Sequence, residues 1–280
     1  MTLQHIYQKI ANFQAKGIDM VLVTVTEKEG EGPVDVGKKM LVCSTGEFFG
    51  TVGGGALEYY AIEKAKKLIQ TRSNLTEHYL LDKGKILDQT ITLPMVCGGR
   101  VTLYYEFIGF KNYVYIFGGG HVGQALAKVL KPLQFHITMI DERETIVDKF
   151  EDANLTYHET FVDFINEKKI KDGSLVVVCT PSHTHDYHVI NTIIQLQLKP
   201  KYVGMMCSLE KLKDYLKVTH ETFGKDVDLS FFYSPIGLDL GGGSPEEIAI
   251  SIASELLVIE HGKKGHLHMR EKNHDDTHYW

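Results

Sequence analysis

The sequence predicts an α/β protein in two parts: an N-terminal α/β domain over residues 1–110, then a Rossmann-like parallel-sheet domain over residues 111–262, with a polar tail over 263–280. Three observations predict it. Residues 113–117 (YVYIF) are an apolar, β-rich run leading into Gly118, Gly120 and Gly123, a G-x-G-x-x-G, and then into helical apolar spacing over residues 122–130. A second apolar run, residues 135–140, stops at Asp141. From residue 113 onward strand-like and helix-like segments alternate, which argues a parallel sheet with right-handed crossovers. With 280 residues, 43% of them hydrophobic, the chain has enough apolar material for two moderate cores.

In chain order, Leu3, Ile6, Ile10 and Phe13 recur at helical spacing among polar residues, so the first segment is an amphipathic surface helix. Residues 20–26 (MVLVTVT) read as a buried strand, and the loop EKEGEGPVDVG leads to strands at 39–44 and 48–52 around Thr45-Gly46-Glu47. Gly53, Gly54 and Gly55 break the pattern before a helix over 56–70, with Leu57, Tyr60, Ala61, Ala65 and Leu68 on one face. Strands near 75–81 and 101–108 flank a loop containing LPMVCGG. In the second domain, residues 174–179 (SLVVVC) are the clearest later strand, with shorter ones at 202–206 and 231–233. A closing helix over 246–260 has Pro245 at its start and Ser244 as N-cap.

Composition narrows the function. A net charge of −6 and a pI near 6.2, with no basic stretch interleaved with aromatics, argue against a nucleic-acid partner. The N-terminus does not read as a signal peptide and no apolar run reaches membrane-span length. Cys43, Cys97, Cys179 and Cys207 are scattered without a C-x-x-C pair, so neither a disulfide framework nor a zinc knuckle is expected. The expected location is the cytoplasm.

The candidate binding residues follow from these motifs. Gly118 permits a tight turn, Gly120 lets the backbone approach a pyrophosphate, and Gly123 brings helix and strand together. The helix start at His121 and Val122 offers amides and a positive dipole end to phosphates. Asp141, followed by Glu142 and Arg143, stands where a carboxylate accepts from a ribose diol, which favours NAD or another adenine dinucleotide over NADP. Gly53, Gly54 and Gly55 in GTVGGGALE, and Cys97 and Gly98 in LPMVCGG, form turns where a planar or phosphorylated ligand could lie close; tight packing of the turns is the alternative. Cys97 is flanked by flexible backbone and would act as a soft thiolate, whereas Cys43 and Cys179 suit strand interiors. In TPSHTHDYH, His183, His185, Asp186 and His188 follow a parallel strand, a ligand-facing or helix-capping position; no second cluster completes a metal shell. Asp239, among glycines before the last helix, is outside the reach of a helix-dipole explanation, which covers Glu246 and Glu247.

Taken in order, GEGPVDVGKKMLV, GTVGGGALE, LPMVCGG, IFGGGHVG with ITMIDER, TPSHTHD, YVGMMCSLEK and PIGLDLGGGSPEEIAISI resemble the XdhC/CoxI family of xanthine dehydrogenase accessory proteins. The resemblance implies an XdhC/CoxI-type N-terminal domain and a protein that binds molybdenum cofactor (molybdopterin type), protects it, and aids its sulfuration and insertion into a xanthine dehydrogenase-type molybdenum hydroxylase. It implies an apo molybdenum hydroxylase and a cysteine desulfurase as partners, and a non-catalytic chaperone role with no catalytic residue. A homodimer is the expected assembly. Three positions depart from the family pattern: Ala56 where Cys is frequent, Val34 where a basic residue is common, and Cys207 where glycine is usual. The rival from another class is an NAD(P)-dependent oxidoreductase with His183 or His185 as acid–base group, which nicotinamide turnover would reveal.

Overall fold

The computed structural model of the chain describes residues 3–31, 35–84, 87–95, 98–110, 112–133, 135–147, 150–167 and 170–263. Cys97, Val34 and the tail beyond residue 263 lie outside the described residues. The chain divides into two compact units, Met1–Lys111 and Asn112–Trp280.

The first unit contains α1 (Leu3–Ala15), β1 (Met20–Glu29), β2 (Lys39–Cys43), β3 (Phe48–Gly50), α2 (Gly55–Thr71), β4 (Leu75–Leu80), β5 (Ile91–Thr92) and β6 (Arg100–Ile108). The strands form one sheet in the order β3-β2-β1-β6-β4-β5, antiparallel except for the β4–β5 pair. Alternation along β1 settles which side chains meet which helix. Val21, Val23 and Val25 join Leu57, Ala61, Ala65 and Leu68 of α2 in one core. Met20 and Leu22 point the other way and pack with Leu41, Cys43 and Ile6 of α1. Each buried Leu or Ile contributes about 1.5–3 kcal/mol. The α2-side core also holds a polar chain: Tyr105 and Tyr79 bond through their hydroxyls at 2.6 Å, Tyr79 donates to Glu77, and Lys64 bonds the other Glu77 oxygen at 2.8 Å. Burial pushes both tyrosine hydroxyls well above their ordinary range.

The second unit continues with β7 (Tyr113–Phe117), α3 (His121–Leu130), β8 (His136–Asp141), α4 (Glu144–Val147), β9 (Leu155–His158), α5 (Phe161–Asn166), β10 (Leu175–Val178), α6 (His183–Gln195), β11 (Tyr202–Met205), α7 (Leu209–Phe223), β12 (Phe232–Tyr233) and α8 (Pro245–Glu260). Its sheet is parallel throughout, in the order β12-β11-β10-β7-β8-β9. Every residue of β7, β8, β10 and β11 is buried, because helices cover both faces. On one face Leu126, Ala127 and Leu130 of α3 meet Ala249, Ile252, Ala253 and Leu256 of α8. On the other, Phe117 stands edge-on to Phe161 and Phe164 of α5.

The sequence TPSHTHDYH is helical from His183 onward, and not a loop. Ser182 is the N-cap of α6, accepting from the His185 amide at 3.3 Å, and an N-cap serine followed by an acid in the first turn favours that start. At α8 the Ser244 cap forms a full capping box with Glu247, with Pro245 in the first turn.

Candidate functional site

In the parallel sheet the chain runs outward from β7 to β8 and β9, then resumes on the opposite side with β10, β11 and β12. The order therefore reverses between β7 and β10, and ligands of such sheets bind at the carboxyl ends beside that switch point. The Gly118 to Gly120 turn leaves β7 there, beside Cys179 and Thr180 at the end of β10.

The three glycines of the motif have separable roles. Gly118 has φ +109°, and a Cβ on it would lie 2.3 Å from the Cys179 carbonyl oxygen. A Cβ on Gly123 would lie 2.1 Å from the Gly118 carbonyl oxygen, so both are fixed by the protein's own packing. Gly120 differs. Its φ of −67° suits any residue, and a Cβ there would meet nothing within 4 Å. Neither backbone conformation nor internal packing needs this position bare, and the space beside it is open.

Gly120 is also the N-cap of α3, and no side chain caps that helix. Its first amide bond back to the loop runs from Gln124 N–H to Gly120 O at 3.0 Å. The preceding amides, including those of the exposed His121 and half-buried Val122, are the ones a helix start offers to an anion. By contrast α5, α6, α7 and α8 are capped by Thr160, Ser182, Ser208 and Ser244.

Asp141, at the end of β8, is 1% exposed and fully engaged by its own chain. Its Oδ2 accepts from Gly119 N–H at 2.7 Å and Arg143 Nη2 at 2.8 Å; its Oδ1 accepts from the Arg143 amide at 2.9 Å and Nε at 2.8 Å. Burial pulls this carboxyl upward, but the Arg143 guanidinium and the two amides outweigh it and hold the group below the usual carboxylate range. Glu142 turns toward the helices instead. It accepts from the Phe161 amide at 3.2 Å and lies 4.0 Å from His185 Nδ1, whose ring stands edge-on to Phe161.

The α6 residues diverge. Asp186 is buried and accepts from the Thr180 hydroxyl at 2.6 Å and amide at 3.1 Å, tying α6 to the end of β10. Desolvation raises its pKa despite those bonds. His183 is exposed and its ring faces Tyr187. Among the described residues no group of three or more His, Cys, Asp or Glu side chains could hold a metal ion. Cys179 lies beneath the glycine turn, its Sγ donating to Gly118 O at 3.3 Å, and burial pushes the thiol up to about 12.

Asp239 is exposed between β12 and α8. Glu255 accepts from the Gly237 amide at 2.8 Å, anchoring the start of that loop. At its end, Glu247 takes the Gly243 and Ser244 amides at 3.0 and 2.9 Å and is drawn down to about 2. The amides that begin α8 are thus already supplied with an acid.

The glycine turn of the first unit is satisfied in the same way. Gly53, Gly54 and Gly55 all have positive φ. Thr51 accepts from the Gly53 amide at 3.1 Å, and Glu58 accepts from the Gly54 amide at 2.9 Å and from the Thr51 hydroxyl. Here a carboxylate of the chain itself accepts from the turn, in keeping with the packed-turn alternative. Gly98 has φ +73° and donates its amide to Leu81 O at 2.8 Å, while a Cβ on Gly99 would lie 2.2 Å from Glu31 O. An open pocket of about 700 Å³ reaches Thr51 and is lined by Ile6, Val36, Gly37, Lys38, Lys39 and Gly50 besides. Sequence reasoning missed Thr51, Thr180, Lys38 and Lys39; a hydroxyl abutting a glycine turn or a strand end, and the paired lysines after Gly37, were the available signals.

Among the described residues no helix is long and apolar enough to cross a membrane. Residues 114–256 match the XdhC Rossmann domain and residues 13–79 the XdhC and CoxI family. The chain is similar to the uncharacterized protein YqeB of Escherichia coli (strain K12), 23% identical over 269 residues, covering 95% of this chain and 48% of that protein. It is also similar to a probable xanthine dehydrogenase component of Bacillus subtilis (strain 168), 26% identical over 160 residues, covering 55% of this chain and 45% of the relative. The chain thus spans about half the length of these curated relatives. A crystal structure of a xanthine dehydrogenase from Bacillus halodurans shares the fold, with a TM-score of 0.50 at 19% identity over 94% of this chain and 97% of that one. With both units carrying a family match, one of them spanning half of the chain, the protein belongs to the XdhC and CoxI family.

Proposed function

We propose that this chain is an accessory protein of a xanthine dehydrogenase-type molybdenum hydroxylase, binding molybdenum cofactor, protecting it, and aiding its sulfuration and insertion. The observation that carries the reading is Gly120: a bare glycine facing open space at an uncapped helix start, beside the switch point of a parallel sheet. This cradle fits the phosphate part of a nucleotide or pterin ligand. Gly120 and the amides of His121 and Val122 would hold that phosphate, on a turn shaped by Gly118 and Gly123. Lys38 and Lys39 in the first-unit pocket would present cationic groups to an anionic ligand. Cys97 would add a thiolate, a soft partner for molybdenum or sulfur. Bound, the cofactor would supply the metal chemistry of the client enzyme, while this chain supplies binding and exclusion of water. An apo hydroxylase and a cysteine desulfurase are the proposed partners, and a homodimer the proposed assembly.

The test is purification from a host with active molybdenum metabolism, followed by oxidative release and fluorescence detection of bound pterin. Pterin in fixed ratio to the chain, transferable to an apo hydroxylase, is the expected result. Pterin no higher than on an unrelated control protein would overturn the proposal.

A further inference from the structure

We infer that Arg143, oriented by Asp141, makes the ribose end of the Rossmann site a receptor for a phosphate, so that the ligand taken there is a 2′-phosphorylated adenine dinucleotide and not one with a free ribose diol. The inference rests on the proposed nucleotide reading of the glycine turn and narrows its ligand class.

The end of the second Rossmann strand is where an adenine ribose lies in such sheets. A diol bound there donates its hydroxyl protons to a carboxylate. Asp141 has no room for them. A carboxylate offers about four lone-pair positions, and here they face four donors of the chain itself: Gly119 N, Arg143 N, Arg143 Nε and Arg143 Nη2, all within 2.7–2.9 Å. At 1% exposure the group is also sealed from solvent.

Arg143 is the complement. Its fork spends one N–H of Nε and one of Nη2 on Asp141, leaving the other Nη2 hydrogen and both on Nη1 directed away from that carboxylate. The side chain is 44% exposed. Glu142, the adjacent acid, is turned toward Phe161 and His185 and does not occupy the guanidinium. Asp141 Oδ2 also holds the Gly119 amide, so one carboxylate fixes both the phosphate-binding turn and the cation beside it. A planar guanidinium fixed on one edge presents its other edge as a preorganised oxyanion receptor.

The experiment is calorimetric titration of the full chain with NADP⁺ and NAD⁺ at low ionic strength, for the wild type, Arg143→Ala, Arg143→Lys and Gly120→Ala. Wild type should bind NADP⁺ at least about tenfold more tightly, the increment a charge-assisted phosphate contact gives. Arg143→Ala should weaken NADP⁺ binding at least about tenfold and remove the preference, and Arg143→Lys should retain part of it. NAD⁺ binding that Gly120→Ala abolishes, without preference for NADP⁺ in the wild type, would overturn this inference alone. Equal weakening of both ligands by Arg143→Ala would place the guanidinium on a part they share and overturn it as well. Binding of neither dinucleotide by the wild type would remove the nucleotide reading and this inference with it.

Discussion

Replacing Gly120 with alanine separates ligand approach from folding. At φ −67° and ψ −172° the position is open to L-residues, and the added methyl group would have no neighbour within 4 Å. Loss of unfolded-chain entropy favours alanine by about 0.4–1 kcal/mol, and its poorer N-cap tendency opposes this by a similar amount, roughly 0.5–1 kcal/mol. Melting should therefore stay near wild type. Gly118→Ala combines a left-handed φ with a 2.3 Å approach to the Cys179 carbonyl, and Gly123→Ala brings a methyl to 2.1 Å from Gly118 O. Backbone cannot yield there without displacing β7 or β10, so each should cost about 1–3 kcal/mol or more. In titrations with an adenine dinucleotide, Gly120→Ala should weaken binding by at least tenfold, about 1.4 kcal/mol, because the methyl stands where the pyrophosphate must reach the helix amides. Unchanged affinity, or melting as low as that of Gly118→Ala, would refute the reasoning.

Other predictions follow from the hydrogen-bond geometry and the thiol chemistry. Asp141, whose folded carboxyl is held below its usual range, stabilises the fold above about pH 4 and loses that contribution as pH falls through the folded value. Asp141→Asn should therefore cost about 1–3 kcal/mol of stability at pH 7 and melt lower there, and the difference from wild type should shrink as pH falls below about 4. Asp186 has the opposite sign: burial raises it, so its ionised form costs stability at neutral pH, and Asp186→Asn, which keeps an oxygen for both Thr180 donors, should melt no lower than wild type at pH 7. In the tyrosine pair, Tyr79→Phe leaves the buried Tyr105 hydroxyl without its acceptor and should cost about 1–3 kcal/mol in urea unfolding, whereas Tyr105→Phe leaves Tyr79 donating to Glu77 and should cost less; the reverse order would contradict the assigned donor direction. Cys97→Ser should sharply reduce bound pterin in the release assay, and equal retention would make the thiol a bystander.

How much was legible in the sequence depended on length and burial. β7 was readable to the residue because all five positions are buried and apolar, and the start of α8 because Ser244, Pro245 and Glu247 each carry a separate start signal. β5 and β9 were not assigned: they have two and four residues, and none of their side chains is fully buried. The α7 helix was not assigned either, although Leu212, Tyr215, Leu216 and Thr219 follow helical spacing and form its buried side. Within the site, the three glycines were legible as a set but not their division of labour. That division depends on Cys179, 56 positions beyond Gly123, and on empty space beside Gly120. Asp141 was readable as a strand-end acid, but its saturation by Arg143 depends on how the chain turns back after β8, which spacing alone does not reveal.

The burial of two thiols gives each unit its own clock. Cys43 sits between the first sheet and α1, where burial and the Glu47 carboxylate push it up to about 11, and Cys179 sits under the glycine turn. Near neutral pH neither carries an appreciable thiolate fraction, so an alkylating reagent reaches them only through opening of the surrounding structure. Pulse alkylation read peptide by peptide would then give two independent opening free energies from one sample, one for the antiparallel sheet and one for the Rossmann sheet. Adding a dinucleotide should slow labelling of Cys179, by mass action on the unit that binds it, and leave the rate at Cys43 as the internal reference.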